Sequence, residues 1–548
     1  MQNLKNKAIN FFNKQEYIKS LEIFLLILKN NPKLTDVCLY VANCYIRLND
    51  HKSALIYLNK ENVLNKNLPE VFYNIGICHI TLLKYDDAIY NFNKAISLKK
   101  SFFEAYIQLG QLFKNLNRLN EAINILNSAL TNVDHKDAIY INLSEIYFLK
   151  KDFGNSTKNA KAALDLNPKN YFANINIANC LIELGKLEEG IVELEKAKNL
   201  NPQQSIIYNN LGYGYKLLGD EARAIDNYKK AISLNPNSHD SYFNLSHIQL
   251  AQNNFKDGWA NYEHRWGTKK FSNKPQFNKP LWNKTLGFER ILIWGEQGIG
   301  EQILFSTILP DVTCRFKKTI LYVNDKLVAL FKSKYNNVEV YPFSSKINED
   351  IFDYHIPIGS LAKLFRQDES SFRLPLGKSD SNLKKNTDTK KFKCAISWIS
   401  SNENLGNIKS VKLEFLKEIL FINQIEFFNV QYTKEDKEIE EFEKKYNVEI
   451  HKNKNLDTYN DLYGLSIFLS TCDFVITVSN TNAHLAASIG IPTFLLLPKS
   501  KGKFWYWENE KNKINLWYPS IVKFKQELKS DWSKPIDDLK SYLFKKYL

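Results

Sequence analysis

From residue 1 to about 268 the hydrophobic and polar positions recur with a period of 34 and no insertion. One small residue per repeat falls at Ala8, Ala42, Gly76, Gly110, Ser144, Ala178, Gly212 and Ser246. A second falls twelve later, at Ser20, Ala54, Ala88, Ala122, Ser156, Gly190, Ala224 and Gly258. A bulky residue follows the second column by four at Phe24, Leu58, Phe92, Leu126, Leu194, Tyr228 and Tyr262, with Ala160 the exception. Large side chains in either small column would hold two helices apart. Pro32, Pro168, Pro202 and Pro236 close repeats where a second helix must stop. The pattern predicts eight copies of one unit, each with two helices that approach closely at the small residues. Arg265 breaks the small pattern of the last copy, which ends GWANYEHRW, as though the array docks there on something else.

Beyond Gly267 the period stops, and a basic, Pro-containing junction follows, KKFSNKPQFNKPLWNKTLGF. Short apolar runs then alternate with helical spacing. Strands are expected at Arg290–Trp294, Thr319–Val323, Val338–Tyr341, Phe352–Ile356, Cys394–Trp398, Ile425–Gln431 and Phe474–Val478. Helices are expected at Glu301–Phe316, Lys326–Tyr335, Leu413–Phe421, Lys434–Tyr446 and Leu462–Ser470. The hydrophilic stretch LGKSDSNLKKNTDTKKFK separates the two sets, so the pattern predicts two doubly wound α/β units. The final IDDLKSYLFKKYL reads as an amphipathic helix able to pack across both.

The segment from Cys472 to Pro498, CDFVITVSNTNAHLAASIGIPTFLLLP, carries the densest candidate chemistry. It reads as strand, polar loop, helix and strand, and the loop after a parallel strand opens on a ligand crevice. The helix start there offers free N–H groups and positive dipole to an anion. Asn480, Thr481 and Asn482 are equally suited to capping the helix.

Composition narrows the class. The 548 residues are 44% hydrophobic and 24% charged, as in a globular protein, and no stretch reaches the roughly 18 to 20 uninterrupted apolar residues of a membrane span. Neither a signal peptide nor a transmembrane segment is expected, and the expected location is cytoplasmic. Cys38, Cys44, Cys78, Cys180, Cys314, Cys394 and Cys472 lie far apart and read as buried free thiols. The net charge of +15 is spread among acidic residues rather than packed into one block; no aromatic-basic motif points to nucleic acid, so none is expected as a partner.

The 34-residue pattern resembles the tetratricopeptide repeat. The sixth position of each copy holds Asn6, Tyr40, Asn74, Gln108, Asn142, Asn176, Asn210 and Asn244. In repeats of that kind this position faces the groove. The resemblance therefore implies a polypeptide in the groove, its backbone met by Asn74, Gln108, Asn142, Asn176, Asn210 and Asn244.

Three later segments, ILIWGEQGIGEQILFSTILP, FDYHIPIGSL and DLYGLSIFLSTCDFVITVSNTNAHLAASIGIPTFLLLP with the WYP of Trp517–Pro519, resemble heptosyltransferase-like glycosyltransferases. More distantly the chain is similar to repeat-bearing O-GlcNAc transferases. The resemblance implies an all-α superhelix followed by a GT-B fold of two Rossmann-like domains. The implied limits are repeats at 1–268, a linker at 269–288, an acceptor domain at 289–380, a linker at 381–392, a nucleotide-sugar domain at 393–535 and a terminal helix at 536–548. It implies sugar transfer from a nucleotide-sugar co-substrate, with inversion, no metal and no permanently bound cofactor. Glu301 would be the base. Gly298, Gly300, Lys409, Ser410, Ser479, Asn480, Thr481, Asn482 and His484 would bind the donor. Relatives commonly carry Asp where Asn480 stands, a basic residue at Ile399 and Arg at Thr307. The alternative is a non-catalytic scaffold for protein interaction that retains the shell of the fold.

Overall fold

The structure, a computed structural model, describes residues 2–271, 274–283, 289–296, 298–372, 391–402, 405–432, 436–453, 455–499, 501–527 and 531–548. Parts of both expected linkers, and residues 433–435 at the start of the expected helix Lys434–Tyr446, lie outside them. The chain divides into two compact units, 1–214 and 215–548.

Helices α1 (Gln2–Asn13) to α16 (Phe255–Tyr262) follow the 34-residue period. The small columns do in space what their spacing implied. A Cβ on Gly76 would lie 2.7 Å from Phe92, and one on Gly110 3.0 Å from Leu126, so each bulky residue fills the hollow left by a small one. Ser144 and Ser156, one from each small column, meet at 3.2 Å. Between the two helices of each pair the chain reverses through one residue of positive φ, at Gln15, Asn49, Leu83, Asn117, Lys151, Gly185, Gly219 and Asn253. Glycine and asparagine suit that left-handed corner; Gln15, Leu83 and Lys151 are strained there.

In the second unit β1 (Arg290–Trp294), β2 (Lys318–Val323), β3 (Val338–Pro342) and β4 (Tyr354–Pro357) form a parallel sheet in the order β3-β2-β1-β4. A second sheet has the order β12-β9-β8-β5-β6-β7. Its strands are β5 (Phe392–Ser397), β6 (Ile425–Asn429), β7 (Ile450–Lys452), β8 (Phe474–Val478), β9 (Thr493–Leu497) and β12 (Ile521–Lys525), all parallel. A small antiparallel pair, β10 (Glu510–Lys511) and β11 (Ile514–Asn515), lies before β12. The connecting helices are α17 (Ile299–Ser306), α18 (Leu309–Thr313), α19 (Val328–Lys334), α20 (Leu361–Phe365), α21 (Gly406–Lys409), α22 (Lys417–Leu420), α23 (Asp436–Tyr446), α24 (Leu462–Ser470) and α25 (Thr481–Ser488). The chain ends with α26 (Ser533–Lys546).

Three expectations are corrected. The helix expected over Glu301–Phe316 is two, because Pro310 has no N–H to give; the Ser306 carbonyl accepts instead from the Tyr335 hydroxyl at 2.8 Å. The last helix packs Ile536, Leu539 and Leu543 into the core of the second sheet with Phe474 and Phe494, and does not lie across both sheets. Of the seven free thiols Cys314 is exposed, since it follows α18 at the surface rather than entering a core.

The break at Arg265 has a clear physical reading. Its guanidinium is fully buried and all of its donors are engaged. Nε donates to Glu296 Oε2 at 2.6 Å, Nη2 to Glu296 Oε1 at 3.0 Å and to Ser360 Oγ at 2.7 Å, and Nη1 to Glu263 Oε1 at 2.8 Å and to the Tyr262 carbonyl at 3.3 Å. Tyr262 and Trp266 face the cation at 4.7 and 4.4 Å. Burial alone would lower its pKa, but Glu296 and Glu263 hold it above the ordinary arginine value. The end of the repeat array is thereby bound to the loop after β1.

Two outcomes follow. Arg265→Met, which leaves Glu296 buried and unpaired, should destabilise the second unit by about 3–5 kcal/mol in urea unfolding, and Arg265→Met with Glu296→Leu by much less. Leu83→Gly, at an exposed left-handed corner, should stabilise the first unit by a few tenths to about 1 kcal/mol, since relief of strain exceeds the added freedom of the unfolded chain.

Candidate functional site

Loops at the carboxyl ends of β1, β5 and β8 lead to Glu301, Lys409 and the Ser479–His484 turn respectively. These are the edges at which open parallel sheets bind ligands. The helices α17 and α25 bring two of the three loops together. A Cβ on Gly300 would lie 2.6 Å from His484 Cδ2, so the missing side chain of Gly300 is the space into which the imidazole fits. Ile303 and Leu304 of α17 and Ala483 and Leu485 of α25 share one hydrophobic core, which fixes the two helices against each other.

Glu301 stands half-buried in the first turn of α17, with its carboxylate folded back over Gly298, where a Cβ would lie 2.9 Å from Oε2. The charge sits beside the positive end of its helix. It is felt by Lys409, Tyr506 and Tyr518, which belong with the second sheet. Burial pushes both tyrosine hydroxyls well above their ordinary value, and Glu301 adds to the effect.

Lys409 is the notable cation. It is 4% exposed at the end of α21; its stem packs against Gly502, whose positive φ and missing Cβ admit it, and its ammonium lies 5.1 Å from the Phe504 ring. Among the described residues it has no hydrogen-bond or ion-pair partner. Burial lowers its pKa to about 8, against the opposing pull of Glu301. It remains a cation at neutral pH, in surroundings that would favour an anion.

Around it, several expected ligand groups are already occupied. Asn480 caps α25 by accepting from Ala483 N at 3.3 Å, and its Nδ2 donates to Ser397 Oγ at 2.8 Å. Ser410 Oγ donates to the Gly406 carbonyl and accepts from Ser400 N, holding the loop before Lys409. Ser479 Oγ accepts from Trp507 Nε1 at 2.9 Å. Asn482 donates to the Val430 carbonyl at 2.8 Å, but its buried Oδ1 has no partner among the described residues. Thr481, half-buried, opens the helix. The loop after β5 is shaped by Gln431, whose Oε1 accepts from Trp398 N and Ile399 N, both at 3.0 Å.

His484 pairs through Nδ1 with the Tyr518 hydroxyl at 3.1 Å and lies against the Trp507 ring at 4.6 Å. Burial, with Lys409 nearby, pushes its pKa down to about 3, so the imidazole is neutral wherever the protein works. Tyr506 and Trp507 were not singled out from the sequence, and Tyr518 stood there only within the WYP segment; the aromatic run Phe504–Trp507 was the visible signal.

In the first unit Asn74, Gln108, Asn142, Asn176 and Asn210 of the sixth column are half-buried while Asn6 is exposed, and part of the column's donor capacity is used within the array. Asn74 donates to Asn43 at 2.9 Å and Asn210 to Asn179 at 3.1 Å, while Asn142 donates to the Ala138 carbonyl and Asn176 to that of Ile141. Gln108 is half-buried on α7 (Phe103–Asn115), and Asn244, on α15 (His239–Ala251), lies in the second unit. Among the described residues no group of three or more His, Cys, Asp or Glu could hold a metal, and no helix is long and apolar enough to cross a membrane.

Residues 103–132, 138–170, 173–204, 205–238 and 227–260 match models of the tetratricopeptide repeat, and the chain carries these repeats. Protein FlbA of Caulobacter vibrioides is 26% identical over 317 residues, 52% of this chain and 52% of that protein; the chain thus spans about half the length of the curated relative it matches. A tetratricopeptide repeat protein from Parabacteroides merdae is 15% identical with a TM-score of 0.39, covering 45% of this chain and 98% of its own. The C-terminal part of a repeat-containing protein from Cytophaga hutchinsonii is 16% identical with a TM-score of 0.35, covering 44% and 99%.

The His484 pKa sets a pH dependence. An imidazole at about 3 in the folded state and near 6.5 unfolded contributes stability that is complete above pH 6.5 and lost as pH falls towards 3. Melting temperature measured across that window should fall with acid, and His484→Gln should flatten that part of the curve.

Proposed function

We propose that the second unit is a glycosyltransferase of GT-B type, moving a sugar from a nucleotide-sugar to an acceptor recruited by the repeats. The observation that carries this reading is the buried, unpaired Lys409 ammonium beside Glu301 and the start of α25. A diphosphate would relieve the burial of that cation and would also accept from the free N–H groups of the helix start. In the proposed step an acceptor hydroxyl oxygen bonds to the anomeric carbon from the face opposite the leaving group. Its proton passes to Glu301, and the bond from the anomeric carbon to the phosphate oxygen breaks. The nucleoside diphosphate leaves with that electron pair, its charge met by Lys409. His484, neutral and enclosed by aromatic rings, supports the meeting of α17 and α25 and transfers no proton. The unpaired Asn482 Oδ1 is a candidate acceptor for a hydroxyl of the donor. The reading assigns 1–268 to the repeats, 289–380 to the acceptor domain, 393–535 to the donor domain, 269–288 and 381–392 to linkers, and 536–548 to the terminal helix. It needs no metal. The repeats supply a polypeptide partner or acceptor.

A second reading, a non-catalytic scaffold, is favoured by one observation. Asn480, Ser410, Ser479 and His484 all spend hydrogen bonds inside the protein.

A panel of nucleotides and nucleotide-sugars separates the two readings. For the transferase, one nucleotide at about 100 times its dissociation constant should add about 2.7 kcal/mol to stability. Lys409→Met should abolish that gain, and the affinity should weaken as pH rises above about 8, where the ammonium is lost. Glu301→Gln should retain the binding and lower sugar transfer or donor hydrolysis by about a hundredfold or more. If no nucleotide stabilises the protein and no nucleotide-sugar turns over, the scaffold reading stands.

A further inference from the structure

Away from the two facing helix starts, basic side chains converge at the end of the repeat array. Lys216, near the end of α13 (Ser205–Leu218), places Nζ 3.5 Å from Nδ1 of His247 on α15. Lys270, in the single turn Lys269–Phe271 after the array, adds its charge to the same imidazole. Glu221 is the acidic group nearest in effect to Lys216, and it already accepts from Gln252 at 2.6 Å. Among the described residues neither Lys216 nor Lys270 has a carboxylate at ion-pair distance. Phe243 stands edge-on to His247 at 4.5 Å, so one side of the cluster is dry. Burial brings the Lys216 pKa down to about 8; burial, with Lys216 and Lys270, pushes His247 well below its ordinary value.

Lys270 faces a second feature as well. With Trp266, Phe271, Trp294, Tyr322 and Phe343 it lines a cavity of about 300 Å3 at the carboxyl ends of β1 and β2. Cations and an aromatic hollow thus share one lysine.

We propose that this end of the array holds an acidic side chain of a bound polypeptide among Lys216, His247 and Lys270, and that the aromatic cavity takes a ring side chain of the same polypeptide a few residues along. A carboxylate there would neutralise two ammonium groups that have no carboxylate at ion-pair distance among the described residues, and accept charge-assisted hydrogen bonds from them. The ring would fill a hollow on the same side of Lys270. The proposal rests on the reading that the repeats bind polypeptide.

Selection of random dodecapeptides displayed on phage against the immobilised full chain tests it. The selected sequences should carry Asp or Glu followed within a few positions by Phe, Tyr or Trp. A synthetic peptide of the selected sequence should bind at least tenfold more weakly when its acidic residue is replaced by the amide. Lys216→Gln and His247→Gln should reduce binding of the acidic peptide to the level of the amide, with a melting temperature unchanged or raised, because a buried charge has been removed or relieved. Peptides selected without an acidic position, amide peptides that bind equally well, or variants that lose binding only because they melt lower would overturn the proposal and leave the polypeptide-binding reading in place. If no peptide is selected at all, that reading falls together with it.

Discussion

A guanidinium without access to water must find an acceptor for every N–H, and Arg265 finds them on three separate stretches of chain. Glu263 and the Tyr262 carbonyl come from the end of the repeats, Glu296 from the loop after β1 and Ser360 from the turn after β4. Gly359 N donates to Glu296 Oε1 at 2.7 Å, which fixes the carboxylate from its other side. The network leaves no freedom at the place where the glycine loop begins. Arg265 stands at the end of the array where five earlier copies carry Ala95, Ala129, Ala163, Ala197 and Ala231.

Aromatic packing carries the same junction further. Trp259 donates to the Arg366 carbonyl at 2.6 Å and packs edge-on to Trp505 and Trp517, so the last helix pair touches the end of α20 and the aromatic turn that follows β9. Asn509 gives its amide to the Leu250 carbonyl and accepts from Trp517 Nε1 at 3.0 Å. The helix starts that bear Glu301 and His484 are consequently held by one continuous core, and beside them Lys409 is buried with no hydrogen-bond or ion-pair partner among the described residues. In a fold whose other buried ions are mostly paired, such a group marks a place where stability yields to another requirement.

Repetition made half of the molecule legible. Sixteen helices could be placed because the same hollow recurs at Gly76 and Gly110 and is filled by Phe92 and Leu126. Strands β1, β8 and β9, and helix α24, fall where their apolar runs stop and start. Reading failed where a local signal competed with a distant one. Pro310 divides a run that has helical spacing throughout, and the carbonyl it frees is satisfied by Tyr335, which no local window contains. Ile521–Lys525 alternates weakly and becomes a strand only because β9 offers it an edge.

The chain's own order of residues determined the 34-residue helix pairs, the alternation of strand and helix that follows, and the candidate groups Glu301, Lys409 and Asn480–His484, because each is written in spacing or residue type over a few turns. Tertiary structure alone decided that Gly300 makes room for His484, that Asn480 and Ser410 spend their hydrogen bonds inward, and that Lys409 is buried with no ion-pair partner among the described residues. Those outcomes depend on desolvation and on atoms brought together across tens or hundreds of residues, and neither quantity has a signature in local sequence.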